Sequence, residues 1–460
     1  MSRVLLPSLA LLLACASPVE DSAGAPGLAL AAGSIAWIEP SWTQPTVATV
    51  RWSTPEPSRG QVWVRESAQE DWTIPLEETA PAEEHAWLLR GLASDTSYQV
   101  RVLPDLEDAG QSLSLEYTTG TLPDWLPVVT QADAVEPRSE PAGYFEVPVV
   151  LDNGRSVASI LDAEGRVVWY RDAIDQVTRV RLTPDRQSLV LLHHAPTSDA
   201  PGGLEWISWE GETLRSRGVP GLHTDFTFLP DGRVAALGRE VRELTPGRPF
   251  LGETIVLFDP DGGQEVIWSV LDAMPPDLSQ IYPPCPEAFS AECYAHVNSV
   301  AYEAEEDAFL LTAALLQTAM LVDRAGGEVR WALGGPDSTF SVPALEKPLV
   351  YPHSAQLVPG GVLIFDDQSM LFDNCSGAVV FELDHDTDTA TPGWRYLPEE
   401  PMTNLFLGNA QRRWDGLTLV VVPGQGTLDL VDAQEQLVRR ITVSGNAPVR
   451  LAHAIQNLYP

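Results

Sequence analysis

Ile160-Leu161-Asp162-Ala163-Glu164-Gly165-Arg166-Val167-Val168-Trp169 is an apolar run, an acidic turn closed by glycine, and a second apolar run ending in tryptophan. Such a pattern predicts a β-hairpin. It recurs as Trp206 to Arg217, Val256 to Trp268, Leu321-Val322-Asp323-Arg324-Ala325-Gly326-Gly327-Glu328-Val329-Arg330-Trp331, Val380 to Trp394, and Leu428 to Arg440. A companion hairpin accompanies it at Leu182-Thr183-Pro184-Asp185, Leu229-Pro230-Asp231-Gly232, Glu305-Glu306-Asp307, Val358-Pro359-Gly360-Gly361 and Arg413-Trp414-Asp415-Gly416. Six copies at intervals of about 45 to 65 residues, each supplying four strands, match the blades of a β-propeller with insertions. Residues 124 to 460 are therefore expected to form a six-bladed propeller, with a seventh blade if residues 124 to 150 pair differently. Two stacked sandwiches are the competing arrangement. No Gly-rich phosphate loop or sustained helical heptad interrupts the pattern, which disfavours a nucleotide-binding α/β enzyme.

The rest of the composition agrees with an all-β chain of two domains. Among 460 residues, 39 prolines and 34 glycines punctuate short runs rich in Val, Leu, Ile and Trp. The formal net charge is -36, from 64 acidic and 28 basic residues, and the acidic excess runs through both halves. That field repels nucleic acid and anionic lipid, and an anionic substrate would need local positive charge to offset it.

The first fifteen residues carry Arg3, an apolar run from Val4 to Leu13 broken by Pro7 and Ser8, then Ala14-Cys15. The run is too short to span a bilayer and reads as a secretory signal. Its end is similar to the lipobox of bacterial lipoproteins, which implies cleavage before Cys15, lipidation there and, with Ala16 following, sorting to the outer membrane. The expected location is periplasmic or cell-surface, with contact to the membrane only through the lipid. An ordinary signal peptide with a coincidental cysteine is the alternative. Residues 16 to 33 read as a flexible tether. Cys285 and Cys293, eight apart around a Pro-rich loop in an oxidising compartment, favour a local disulfide and leave Cys375 unpaired.

Residues 34 to 123 alternate as short strands. The stretch from Trp87 to Val102, with Thr118-Thr119-Gly120-Thr121-Leu122-Pro123 closing the segment, resembles the later strands of a fibronectin type III domain. The resemblance implies a small β-sandwich with Tyr98 as its corner tyrosine, and leaves His85 to the surface or to packing.

Three histidines occupy similar places in successive repeats: His223 in His-Thr-Asp-Phe, His296 in His-Val-Asn-Ser, and His353 in His-Ser-Ala-Gln. In a radial repeat, equivalent positions fall on one ring about the axis, so these histidines are expected to converge. The surrounding motifs are Leu222-His223-Thr224-Asp225-Phe226, Gly252-Glu253-Thr254-Ile255, Ala295-His296-Val297-Asn298-Ser299-Val300, Gly326 to Gly335, Pro352-His353-Ser354-Ala355-Gln356 and the terminal Gln456-Asn457-Leu458-Tyr459-Pro460. In this order over residues 145 to 460 they resemble the bacterial arylsulfate sulfotransferases.

The resemblance implies a six-bladed propeller that moves a sulfuryl group from a small aryl sulfate to a phenolic acceptor without a nucleotide donor or other cofactor. It implies that His353 is transiently sulfated, while His223 and His296 line the same funnel, binding sulfuryl oxygens or moving the phenolic proton. Asn298 is expected to hold His296 in one tautomer, Asp225 to orient His223, and Asn409 to support the site. One departure stands out: Ala314 falls where the family places an arginine, so another cation, such as Arg239 or Lys347, has to enter the funnel. Otherwise the propeller binds an aromatic or sulfated ligand, or a surface partner, without turnover. A structural adhesin would leave the histidines unexplained. No metal set is expected: His193-His194 lacks a third ligand, His385 sits in an acidic turn without the glycine and distal glutamate of a calcium loop, and His453 belongs to the closing strand.

Overall fold

The computed structural model describes residues 34–77, 80–104, 112–127, 129–132, 143–151, 155–173, 176–259, 262–286, 289–343, 345–403, 407–443, 449 and 451–459. The signal, Cys15 and the tether lie outside these residues, as do Pro260, Asp261 and Pro460 of the sequence motifs. The chain divides into two compact units between Pro123 and Asp124. Among the described residues no helix is long and apolar enough to cross a membrane.

The first unit carries seven described strands in two antiparallel sheets. Ile35–Pro40, Ala48–Ser58 and Ala82–Leu89 form one; Thr73–Glu77, Gly60–Glu66, Ser97–Pro104 and Leu113–Thr118 form the other. Alternation along Ala48 to Ser53 and Tyr98 to Pro104 buries every second side chain, as a two-layer sandwich requires. The Tyr98 hydroxyl accepts the Ala93 N–H at 2.7 Å, which pins the connection entering its strand. His85 is buried and stacked flat on Trp52 at 4.5 Å, a packing role.

The second unit is a six-bladed β-propeller. Blades 2 to 5 each use four consecutive strands and begin, in order, at Val177–Leu182, Phe226–Phe228, Val297–Glu303 and Pro352–Val358. Blade 6 begins at Asn409–Arg412 and gains Val129–Ala132 as a fifth, outer strand. Blade 1, made of Tyr144–Val150, Ser156–Asp162 and Val167–Ala173, is completed by His453–Ile455 from the far end of the chain. The ring is thus closed twice, once by each end of the unit.

The repeat explains the packing. Apolar residues of the middle strands form layers between successive blades, such as Leu192, Leu204, Val234 and Val256 between blades 2 and 3. Each recurring tryptophan lies on a blade's outer strand. Two of the indoles donate to the hairpin turn of the next blade, Trp169 to the Trp209 carbonyl and Trp394 to the Asp432 carbonyl, both at 2.9 Å. Trp268 rests instead on Gly327, in the corresponding turn of blade 4.

Polar side chains tie the inner strands into a circuit. Glu146 of blade 1 accepts from Leu182 N of blade 2, and Arg179 of blade 2 bonds Asp225, just ahead of blade 3. Asp225 accepts from Val300 N of blade 4, and Asn298 of blade 4 donates to the Pro352 carbonyl of blade 5. Ser354 of blade 5 accepts from Ala410 N of blade 6, and Asn409 of blade 6 donates to the Ala452 carbonyl, leading into blade 1.

Candidate active site

The site is built where the inner strands begin. In blades 2, 4 and 5 the pairing of first and second strands skips one residue, between Val177 and Arg179, Val297 and Ser299, and Pro352 and Ser354. A bulge of this kind bends the strand and re-aims the extra side chain. The extra residue of blade 5 is His353, which is 2% exposed. Its Nδ1 lies 3.1 Å from the Gly408 carbonyl, which can only accept, so Nδ1 carries the proton and Nε2 keeps its lone pair. Gly408 has φ +98°, and a Cβ there would sit 2.3 Å from a Phe365 ring carbon, so glycine is required at this position. Burial, then the nearby Arg179 and His296, pull the His353 pKa down to about 3.

His296 precedes its strand by one residue, with φ 53°, and its ring lies 6.2 Å from that of Tyr351. Burial and the Arg239 guanidinium bring its pKa to about 4. His223 is fully buried three residues ahead of Phe226–Phe228, with Nδ1 against the Thr224 hydroxyl. Thr224 has φ 57°, and this tight turn lets both His223 N and Asp225 O bond Leu237, at 2.9 and 3.0 Å. Burial, then Arg239, His194 and His296, hold His223 well below the usual histidine range. The three histidines therefore do not share one register position: the bulges and the Thr224 turn offset them along the axis. Non-glycine residues at positive φ, here His296 and Thr224, are uncommon and concentrate at functional sites.

Two expected supports act elsewhere. Asp225 makes no hydrogen bond to the His223 ring among the described residues; its carboxylate takes Arg179 Nε at 2.5 Å and the amides of Phe226 and Val300 at 3.0 and 3.1 Å. Burial opposes its charge, but Arg179 outweighs burial and its pKa is lowered. Asn298 does not reach His296 among the described residues. It donates to the Pro352 carbonyl at 3.0 Å and accepts from the Thr312 hydroxyl at 2.5 Å, so it fixes the backbone just ahead of His353. In both residues the side chain reaches the next blade: Asn298 is the extra residue of the blade 4 bulge, and Asp225 follows the positive-φ turn at Thr224. Asn409 clamps Ala452 from both sides, at 2.7 and 3.0 Å.

Ala314 donates its backbone N–H to the His296 carbonyl at 3.0 Å, and its methyl group offers no positive charge. Arg239 supplies one: it is the strongest charge acting on both His223 and His296. Its Nη1 bonds the Ala195 carbonyl at 2.7 Å and its guanidinium lies 5.1 Å from the Phe289 ring centre; among the described residues it has no other hydrogen bond. Phe289 sits in the loop cross-linked by the Cys285–Cys293 disulfide, while Cys375 is free among the described residues. Lys347 is exposed and does not act on these histidines among the described residues. Across the strand from Arg239 is Glu253, buried and bonded to Val297 N at 2.9 Å, with its pKa raised by burial to about 7.

Several site residues carry no motif in the sequence. Arg179 and Arg181 alternate on the first strand of blade 2, and both act on His453. His453 Nδ1 lies 2.9 Å from Glu146 Oε2. His194 stands edge-on to His223 at 6.3 Å, whereas His193 is paired with Glu205. His385 lies in its exposed turn against Phe340. Beside Tyr351, Asp367 is fully buried with both oxygens unpartnered among the described residues, and burial followed by Asp366 raises its pKa to about 9. Among the described residues no three His, Cys, Asp or Glu side chains gather to hold a metal ion.

Four histidines, three arginines and an inner wall of hydrogen-bonded carboxylates suit a small anion with a nucleophilic attack on it. The family model described as Arylsulfotransferase (ASST) matches residues 134–402, more than half of the chain. The chain belongs to the arylsulfotransferase family. The matched span contains Arg179, His223, Asp225, Arg239, His296, Asn298 and His353, and ends before Asn409 and His453. No curated protein matches this family member. Among solved structures it is similar to a protein of unknown function from Bacteroides caccae (12% identity, 68% of this chain, 100% of the other, TM-score 0.41). It is also similar to virginiamycin B lyase from Staphylococcus aureus (9% identity, 68% of this chain, 87% of the other, TM-score 0.36). Likeness at this level says nothing about the chemistry.

Proposed function

We propose that this arylsulfotransferase moves a sulfuryl group from an aryl sulfate to a phenol in two steps, through a sulfated His353 and without a nucleotide donor. The observation that carries the reading is the hydrogen bond from His353 Nδ1 to the Gly408 carbonyl, which leaves Nε2 as a neutral nucleophile. In the first step the Nε2 lone pair attacks sulfur and the aryl oxygen departs with the S–O bonding pair. In the second, an acceptor oxygen attacks the same sulfur and the N–S pair returns to His353. His223 and His296 are held neutral beside Arg239, which suits them to bind sulfuryl oxygens as N–H donors while the guanidinium balances the charge. Arg239 takes the place left by Ala314.

Residues 34 to 123 are read as a fibronectin type III-like module, supported by the Tyr98 hydrogen bond to Ala93. Lipidation at Cys15, anchoring the protein to the outer membrane, belongs to the same proposal.

The test is exchange. With 4-nitrophenyl sulfate as donor, phenol should accelerate nitrophenol release and appear as phenyl sulfate, with double-reciprocal plots that stay parallel. Binding of the donor without release above the uncatalysed rate would favour the reading in which the propeller binds and does not turn over.

A further inference from the structure

Sulfuryl exchange between phenols moves a proton as well as sulfur, and the site as described so far leaves that proton without a carrier. The donor oxygen departs as phenolate, and the acceptor arrives as a neutral phenol. His353 is occupied by sulfur, and its second nitrogen is committed to Gly408. His223 and His296 both face the Arg239 cation, which disfavours protonation.

We propose that His453, oriented by Glu146, is the general acid and base of the exchange. The inference rests on the sulfotransferase reading above. His453 is brought to the site by the closing strand and stands beside Glu146 in its register. Its Nδ1–H donates to Glu146 Oε2 at 2.9 Å, leaving Nε2 free to exchange a proton. Glu146 is 1% exposed, whereas 34% of the His453 side chain is open to solvent. The carboxylate is itself fixed, by Leu182 N on its other oxygen and by Arg181 at 3.7 Å. A buried carboxylate behind an accessible imidazole holds the tautomer and stabilises the imidazolium as it forms.

The chain of bonded neighbours brings this pair to the sulfuryl acceptor. His353 bonds Gly408; the next residue, Asn409, clamps Ala452; and Ala452 precedes His453. Arg179 acts on both histidines. The charged groups facing His453 are Glu146 from blade 1 and Arg179 and Arg181 from blade 2. Burial and then Arg181 favour its neutral form and Glu146 favours the charged one; the balance sets its pKa below the ordinary histidine value, so the protonated form is the minor one near neutrality. The cycle starts from the imidazolium, the form that Glu146 stabilises, with Nδ1–H on Glu146 and a second proton on Nε2. When the donor reacts, Nε2–H passes that proton to the departing phenolate. When the acceptor attacks, the phenolic proton returns to Nε2, so the cycle closes with no net change in protons.

The test compares donors of different leaving-group basicity in the full-length protein. In His453→Gln, release from phenyl sulfate should fall by about 100-fold or more, while release from 4-nitrophenyl sulfate, whose phenolate needs no acid, should change by less than about 10-fold. Glu146→Gln should show the same selectivity to a smaller degree and shift the pH profile. An equal effect on both donors in a folded variant would overturn the assignment. Should His453→Gln fail to fold, the unmodified protein decides: a clear solvent deuterium effect on phenyl sulfate and none on 4-nitrophenyl sulfate is expected, and none on either would overturn it. Loss of exchange in the unmodified protein itself would sink the sulfotransferase reading, a distinct outcome.

Discussion

At His353 the question is which nitrogen carries the proton, and the backbone answers it. A carbonyl on Nδ1 leaves the Nε2 lone pair open for the proposed attack on sulfur, and burial holds the ring neutral near pH 7, with a pKa of about 3. Ala314 carries no charge, and Arg239 is the cation that acts on both His223 and His296. Arg239→Gln should therefore lower kcat/KM for aryl sulfates by about 100-fold, the scale of losing a preorganised donor to a developing oxyanion. The same variant should raise the His296 pKa, since Arg239 is the charge that depresses it. Titration of the histidine signals by NMR checks this; an unchanged His296 together with unchanged kinetics would place Arg239 outside the site.

At the scale of strands, the bulges at Asn298 and His353 determine both what the sequence revealed and what it hid. The hairpin of Ile160 to Trp169 was legible because its turn and alternation are local, and so was the propeller built from it. The convergence of His223, His296 and His353 was legible in outline, but a one-residue bulge shifts a side chain to a new direction, which no spacing records. That is why Asn298 reaches the next blade and not His296, and the positive-φ turn at Thr224 does the same for Asp225. The Arg179–Asp225 pair joins residues 46 apart and forms when blades 2 and 3 pack, whereas the His453–Glu146 pair joins residues 307 apart and exists only once the ring is closed. Asn298→Ala removes the donor to the Pro352 carbonyl and the acceptor of the Thr312 hydroxyl, which keeps only its Ser299 partner, a buried loss of about 2 kcal/mol. The variant should melt earlier and sulfate His353 about 10-fold more slowly, as a nucleophile whose backbone support has loosened. Calorimetry and single-turnover kinetics measure the two effects separately.

For the whole molecule, a net charge of -36 surrounds a site that holds Arg179, Arg181 and Arg239. The ring architecture reconciles the two, since it gathers cations from blades 2 and 3 beside four histidines while acidic residues populate the exposed turns. Closure of blade 1 by His453–Ile455 sets His453 beside Glu146. The central claim is that this ring makes His353 a sulfuryl acceptor, and intact-protein mass spectrometry after a brief exposure to 4-nitrophenyl sulfate without acceptor tests it most directly. A gain of one SO3 is predicted, mapping to His353, absent in His353→Ala and discharged by added phenol. Because the nucleophile is neutral well below pH 7, the adduct should form at a similar rate from about pH 8 down to about pH 6. A protein that turns over aryl sulfates with no adduct, or with the adduct undiminished in His353→Ala, would contradict the account.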